Sequence, residues 1–421
     1  MPWLLLLLYL LATYLIYTII RYFEPENGLK TLVISATVVI SLFSLIFFIS
    51  LTTNLPYWSL ILAILAGLLG IIYHLHKKGE GLYPANINYR DWMFFNIIII
   101  LGFWKYKEAI SLSGRWDAWA FWNPHAKFLA SDNWRELFNP IIDHIHSDYP
   151  LMLPATIAGF WKYSTDTPLV PILFSFVIFY LLLAGLYAFI DNRAVGLAIV
   201  AYLVYRAVFY NETFSQYADT LQAFYFLISV GAFTYFKDKD KHLMLVAGFL
   251  TFSNMWIKNE GIAFTVIFVI LSFVFYFRNH PRQFKYFMAG GLLPLIITIF
   301  FKIYYAPTND ITGSIDKTIT QLFDYKRLVI ILKFLWKTIY NFFPLILVLI
   351  IMLFYKQKYH FNNKTGFGVL TAMFGTYIFI YMITPAGLNW HLSTSAIRLI
   401  LQLFPLFIYL VVNEILPKHT T

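Results

Sequence analysis

The 421-residue chain is 60% hydrophobic and 20% aromatic, with 12% charged residues and a net charge of +10. A soluble globular domain is about 25% charged, so half that fraction leaves too little polar surface for a water-soluble particle. The lack of Cys removes disulfide and thiolate chemistry, and the positive charge carries no groove-reading motif, which points to basic membrane loops rather than nucleic acid.

The apolar residues come in blocks. The first four fall near 3–20, 31–53, 57–75 and 91–104, close to the roughly 20 residues a helix needs to cross the hydrocarbon layer. They lack the alternation of barrel strands, and only helices otherwise satisfy their backbone in lipid. The first block has no basic leader or small-residue cleavage site and reads as a retained helix. A polar excursion occupies 105–167. Nine further blocks follow near 168–190, 194–210, 218–236, 243–257, 261–277, 287–304, 339–355, 367–384 and 395–413. The expectation is an all-α polytopic membrane protein of about thirteen transmembrane helices, with a large first non-cytoplasmic loop carrying interfacial helices. The 328–338 piece, with Lys333, Trp336 and Lys337, is predicted to lie in the interface as an amphipathic helix.

Basic residues set the orientation. Arg21/Lys30, Lys77/Lys78/Arg90, Arg193, Lys237/Lys239/Lys241, Arg278/Arg282/Lys285, Lys356/Lys358/Lys364 and Lys418 occupy alternate connections. The positive-inside bias puts these in the cytoplasm and the N-terminus outside. The 105–167 excursion, the Asn259 turn, the 305–327 loop and the 385–393 loop then share the far side. That side collects Arg115, Asp117, His144, His146, Asp148, Glu212, Asp219, Lys258, Glu260, His391 and Arg398. Ionisable groups at a bilayer boundary are costly unless they snorkel or pair, so this one-sided accumulation is where a site is expected.

Within 114–130, Trp116, Trp119 and Trp122 recur every three residues, a spacing that predicts one aromatic side of an interfacial helix. Asp117 is then held at the membrane surface, either as a helix cap or as a general base for an acceptor hydroxyl. Asp143, His144, His146 and Asp148 crowd the next segment. They admit a metal, although hydrogen bonding of His146 and Asp148 to a sugar or phosphate is the favoured reading. Asp219 opens a span, where an N-cap is the structural alternative. Lys258-Asn-Glu-Gly261 reads as a charged turn between spans, and Arg398 lies about a turn below the boundary, where a cation wants an anion.

In these segments the chain resembles the GT-C superfamily of polytopic glycosyltransferases, which includes protein O-mannosyltransferases and bacterial aminoarabinose transferases. The matching pieces are Trp116-Asp-Ala-Trp119, His146-Ser-Asp-Tyr-Pro150, Tyr217-Ala-Asp219, Lys258-Asn-Glu-Gly261 and Trp390-His391 with Arg398, in that order. The nearest likeness is to bacterial members with a Trp-Asp-Ala-Trp first loop. The adjacent acidic pair of several relatives is missing.

The resemblance implies an inverting transfer from a polyprenyl-phosphate sugar to a hydroxyl of a glycan, lipid or protein. The reaction would occur on the non-cytoplasmic face of a bacterial inner membrane. No cofactor is expected, and metal independence is the rule, with a divalent cation left open. Asp117 takes the general-base position, and Asp148 is a possible second carboxylate. Arg398, Lys258 and His391 are the candidates for the donor phosphate, whose developing charge needs preorganised cations. Arg115, His146, Tyr149, Asp219, Glu260 and Trp119 are the candidates for sugar or acceptor. One membrane domain, 1–421, divides into accessory spans at 1–90, a catalytic core at 91–304 and variable spans at 305–421. Two alternatives stay open: a lipid or glycan transporter or flippase, and an undecaprenyl-pyrophosphate glycan polymerase or ligase.

Overall fold

A computed structural model describes residues 2–77, 89–139, 146–164, 166–307, 315–340, 345–346 and 363–415. Among them there is no strand. In chain order the helices are α1 (Pro2–Phe23), α2 (Gly28–Thr53), α3 (Tyr57–His76), α4 (Tyr89–Tyr106), α5 (Asn123–Ala130), α6 (Met152–Trp161), α7 (Leu169–Phe189), α8 (Arg193–Val204) and α9 (Ala207–Thr213). They continue with α10 (Ala218–Phe236), α11 (Leu243–Ser253), α12 (Asn259–Phe275), α13 (Pro281–Tyr304), α14 (Ile315–Leu322), α15 (Tyr325–Ile339), α16 (Lys364–Ile383) and α17 (Leu388–Ile415).

Seven of these helices are long and apolar enough to cross a membrane, and the α8–α9 pair, bent by 74°, makes an eighth if it counts as one broken span. This is a helical membrane protein. Helices stand at twelve of the thirteen expected span positions, and the 339–355 position lies mostly outside the described residues. The lower number of qualifying helices has physical causes. The apolar stretches Leu243–Trp256 and Asn259–Phe275 are short. α4 carries Arg90, Asp91 and Lys105, and α10 carries Asp219 and Gln222.

α10 is nevertheless the centre of the bundle, buried at every residue from Ala218 to Phe233. A helix screened from lipid by its neighbours has no need of an apolar outer surface, so its hydropathy falls while its burial rises. α2 and α17 are also mostly buried, whereas α3 is peripheral. The α2 contribution is a row of small hydroxyl residues, which lets helices approach and bond. Ser41 Oγ lies 2.6 Å from Tyr225 Oη, and that phenol donates to the Thr37 carbonyl at 3.0 Å.

α15 has the expected amphipathic form. It buries Ile331, Leu335 and Thr338 and leaves Lys326, Lys333 and Lys337 exposed. Arg327 anchors its start by donating to the carbonyls of Tyr381 and Thr384, both at 3.0 Å, where α16 ends with unpaired C=O groups.

α10 and α17 pack along each other through the centre. Asp219 lies at one end of this pair, and Arg398 sits on α17 beside it. The elements that join them there form the polar cluster described next.

Candidate functional site

The first loop enters the cluster at Gly114, whose φ of +71° is in the left-handed region. A Cβ there would meet Ala118 Cβ at 2.6 Å and the Ser215 carbonyl at 2.8 Å, so glycine is required by space as well as by dihedral. The turn lets the Arg115 N–H donate to the Ser215 carbonyl at 3.1 Å. Gln216, also left-handed at φ +64°, fixes the same junction. Its amide donates to the carbonyls of Ser111 and Leu112, both at 3.2 Å, and accepts from Asn123 Nδ2 at 3.1 Å. Glycine adopts this dihedral freely, so the strain at the junction lies in Gln216, a non-glycine residue in the left-handed region.

Asp117 directly precedes a π-helical turn, Ala118–Trp122. That turn corrects the three-residue tryptophan stripe. Trp116 and Trp119 stay outside, 51% and 55% exposed, as an aromatic pair with ring centroids 5.9 Å apart. Trp122 is 1% exposed and packs near Tyr149, at 5.8 Å. An i→i+5 turn adds a residue to the period, so the third ring is carried away from its predicted face and into the core. Trp119 therefore sits as an outward anchor.

From Asp117 a chain of charges runs into the protein. The Asp117 carboxylate is ion-paired and hydrogen-bonded with Arg398 Nη1, and its N–H donates to Tyr217 Oη at 3.3 Å. The Arg398 guanidinium lies over the Tyr217 ring, 5.0 Å from its centroid, and 3.8 Å from Asp219 Oδ2. Asp219 Oδ1 accepts from Lys258 Nζ at 3.0 Å and from Gln402 Nε2 at 2.6 Å. Lys258 Nζ in turn reaches Glu260 Oε1 at 3.2 Å. Arg115 pairs separately with Glu212 at 3.3 Å.

Exposure divides this chain in two. The Asp117 and Arg398 side chains are 16% and 15% exposed, within reach of solvent, while Asp219 and Lys258 are 4% and 8% exposed. Asp219 is thus no N-cap. Its carboxylate turns inward and anchors both cations. Lys258, expected at a donor phosphate, is committed to two carboxylates. Burial alone would lower its pKa, but Asp219 and Glu260 outweigh this and hold the ammonium above its ordinary value.

The sequence segment around Asp148 does a different job from the one expected. Asp148 Oδ2 accepts from Asn259 Nδ2 at 2.9 Å, and Lys302 Nζ donates to the Asp148 carbonyl at 2.6 Å and to Asn259 Oδ1 at 2.7 Å. These bonds tie the first loop to the Lys258 turn. They engage the Asp148 carboxylate with Asn259 and Lys302. Lys302 is likewise a tether. His146, at φ +55°, stacks on Tyr149 with centroids 4.8 Å apart, and the Tyr149 ring lies 5.8 Å from Lys258 Nζ. Burial and the nearby Glu260 push the Tyr149 phenol up. It remains a neutral donor over any working pH.

The Lys258 turn depends on its glycine. A Cβ on Gly261 would lie 1.9 Å from the Asn254 carbonyl and 3.0 Å from Gln222 Oε1. Asn254 itself is braced by Gln222 at 2.9 Å and Ser229 at 2.8 Å. Gly261→Ala must push α12 away from this backbone. We expect about 1–3 kcal/mol of destabilisation, as for an overpacked core, measured as a lower unfolding midpoint in detergent. An unchanged midpoint would show that the turn is softer than drawn.

His391 is near the cluster without joining its bonded chain. Its Nδ1 lies 3.0 Å from Thr384 Oγ1, and its ring packs against Tyr381 at 5.0 Å. It precedes Arg398 by two helical turns, about 10 Å along α17. Among the described residues no three His, Asp or Glu side chains converge as metal ligands, and Asp143 and His144 lie outside those residues. Tyr217, from the Tyr217-Ala-Asp219 piece, joins the cluster, and Gln216, Gln222, Asn254 and Gln402 complete it unanticipated. Of these, Gln402 left a trace in the sequence, as a lone amide within the apolar run 399–412. Comparison with protein-family models, curated proteins and solved structures gives no match to this chain.

Proposed function

We propose that the protein is a glycosyltransferase that moves a sugar from a polyprenyl-phosphate donor to an acceptor hydroxyl. The reaction takes place on the non-cytoplasmic face of a bacterial inner membrane. Asp117 is the general base, and Arg398 takes the donor phosphate. In this reading α4, α10, α11 and α12 also cross the bilayer and bring the total to twelve of the thirteen expected spans, the remaining position, 339–355, lying mostly outside the described residues. The 17-residue α12 is at the lower limit for a crossing.

The observation that carries the proposal is the partly exposed Asp117–Arg398 pair set against a sealed Asp219–Lys258 pair. The bonded chain holds three carboxylates and two cations, so its net charge is negative and Arg398 is shared between two acids. An arriving phosphate competes with Asp117 for the guanidinium. Success delivers two things at once: a cation on the leaving phosphate and a carboxylate released to accept the acceptor's proton. Asp219 keeps Arg398 in place during this exchange. Arg115, Glu260, His146, Tyr149 and Trp119 border the cluster as candidates for sugar and acceptor contacts.

The broken α8–α9 pair favours a second reading, transport of a lipid or glycan, because discontinuous helices line substrate paths in transporters. The two readings separate in cells with and without the protein. Transfer predicts that one polyprenyl-phosphate sugar accumulates in its absence, while one glycan or glycolipid loses a sugar by mass spectrometry. Arg398→Gln should weaken donor binding about ten- to a hundredfold, the weight of one charge-assisted bond. Unchanged sugar pools, with substrate movement into liposomes that contain no acceptor, would decide for transport.

A further inference from the structure

A polar cavity lies at the other end of α10 from the Asp117 cluster. Tyr235 is about 24 Å along that helix from Asp219 at 1.5 Å per residue, and its ring is 5.0 Å from Lys30 Nζ. Lys30, Arg193, Asp191, Glu26, Asn27 and Trp92 help to line a cavity of about 190 Å³ there. One water needs about 10–15 Å³ on this measure, so the cavity has room for a group the size of a phosphate. α17 reaches the same place through Asn413, which bonds the Asp191 N–H at 3.2 Å and the Phe189 carbonyl at 2.7 Å. The central helix pair therefore carries a charged cluster at each end.

Two features make this cavity a seat for an anion. First, its cations make only long ion pairs. Lys30 is 3.5 Å from Asp191 and Arg193 is 3.4 Å from Asp91, at the long end of ion-pair contact. The Arg193 side chain is 61% exposed, so it can turn to a new partner. Lys30, only 13% exposed, is fixed in the wall between the Tyr235 and Phe189 rings. Second, α2, α4 and α8 all begin at its rim, and their positive ends add to the two cations. Asp191 and Asp91 balance that charge when nothing is bound. Trp92 supplies the amphipathic ring that prefers the headgroup depth.

We infer that this cavity is a second binding site, which takes the phosphate of a lipid headgroup in the leaflet opposite the Asp117 cluster. Lys30 supplies the fixed charge and Arg193 the mobile one. An entering phosphate replaces Asp91 on Arg193 and shares Lys30 with Asp191.

The test uses the full chain purified in detergent, with phosphatidylglycerol, diacylglycerol and inorganic phosphate as probes and native mass spectrometry as the readout. Wild-type protein should retain phosphatidylglycerol and release diacylglycerol. Arg193→Gln, an exposed change that leaves the core intact, should retain the lipid about tenfold less well. Lys30→Gln should do the same where it elutes as folded protein. Added inorganic phosphate that displaces the lipid would support the phosphate seat and make a soluble phosphate an equal occupant. Equal retention of diacylglycerol, or unchanged retention by Arg193→Gln, would overturn the assignment.

Discussion

Asp117→Asn is expected to abolish sugar transfer while leaving a folded protein that binds the donor at least as well as before. The amide keeps the size of the side chain and still accepts a hydrogen bond from Arg398, so the loop is not disturbed. What it loses is basicity, which costs about 10²- to 10⁴-fold in a reaction that relies on one positioned carboxylate. It also loses the negative charge that competes with the donor phosphate for Arg398. Turnover and affinity should therefore move in opposite directions: the rate constant falls and donor binding tightens. A purely structural role for Asp117 predicts no such split. The experiment is a transfer assay in liposomes, paired with donor binding by native mass spectrometry. Transfer at the wild-type rate would remove Asp117 from the base role.

That split also bears on Arg398. Arg398→Gln weakens the donor and leaves Asp117 unpaired, so its deficit should appear in binding. The two variants together ask whether the surface pair is an exchange device or a static bridge. In a static bridge, loss of either partner would lower stability and activity in parallel.

The helical membrane class was legible because length and apolarity report directly on hydrocarbon thickness. The centre of the bundle was not. Hydropathy records which surfaces tolerate lipid, and α10 meets almost none, so its Asp219 and Gln222 lower its score just where burial is greatest. The gathering of Asp117, Asp219, Lys258 and Arg398 followed from topology, since polar groups at one end of many spans must neutralise one another. Their pairing did not. Nothing in the spacing tells that Lys258 would choose Asp219 over a phosphate, or that Asp148 would find Asn259, far along the chain, instead of its neighbour His146. The Trp122 position failed because a period of three assumes a regular helix, and the π-helical turn breaks that period. Amides such as Gln216 and Gln402 carry no charge signal, although Gln216 fixes the first-loop junction and Gln402 bonds Asp219.

The buried half of the cluster gives the second large effect. Lys258 neutralises Asp219 and Glu260 together, so Lys258→Met leaves Glu260 without its cation and Asp219 with Arg398 at 3.8 Å and the Gln402 amide alone, in a site where water is scarce. Breaking a buried pair from one side costs about 3–5 kcal/mol, because the remaining charge keeps its desolvation penalty. Asp219→Leu should cost less. Lys258 retains Glu260 at 3.2 Å and Arg398 retains Asp117, while Gln402 keeps the bond its Oε1 accepts from Tyr377 and loses only the acceptor of its Nε2. The double variant Lys258→Met with Asp219→Leu removes both desolvated charges of the short contact. It should recover much of the loss of Lys258→Met, measured by unfolding in detergent, since apolar replacement of a buried ion pair is often neutral or better. Recovered stability would not restore transfer, however. Arg398 would have lost the carboxylate that holds it while Asp117 lets go, so the double variant should be folded and inactive. A Lys258→Met protein as stable as wild type would show that the inner pair is not desolvated, and a double variant that transfers sugar would show that Asp219 does not position Arg398.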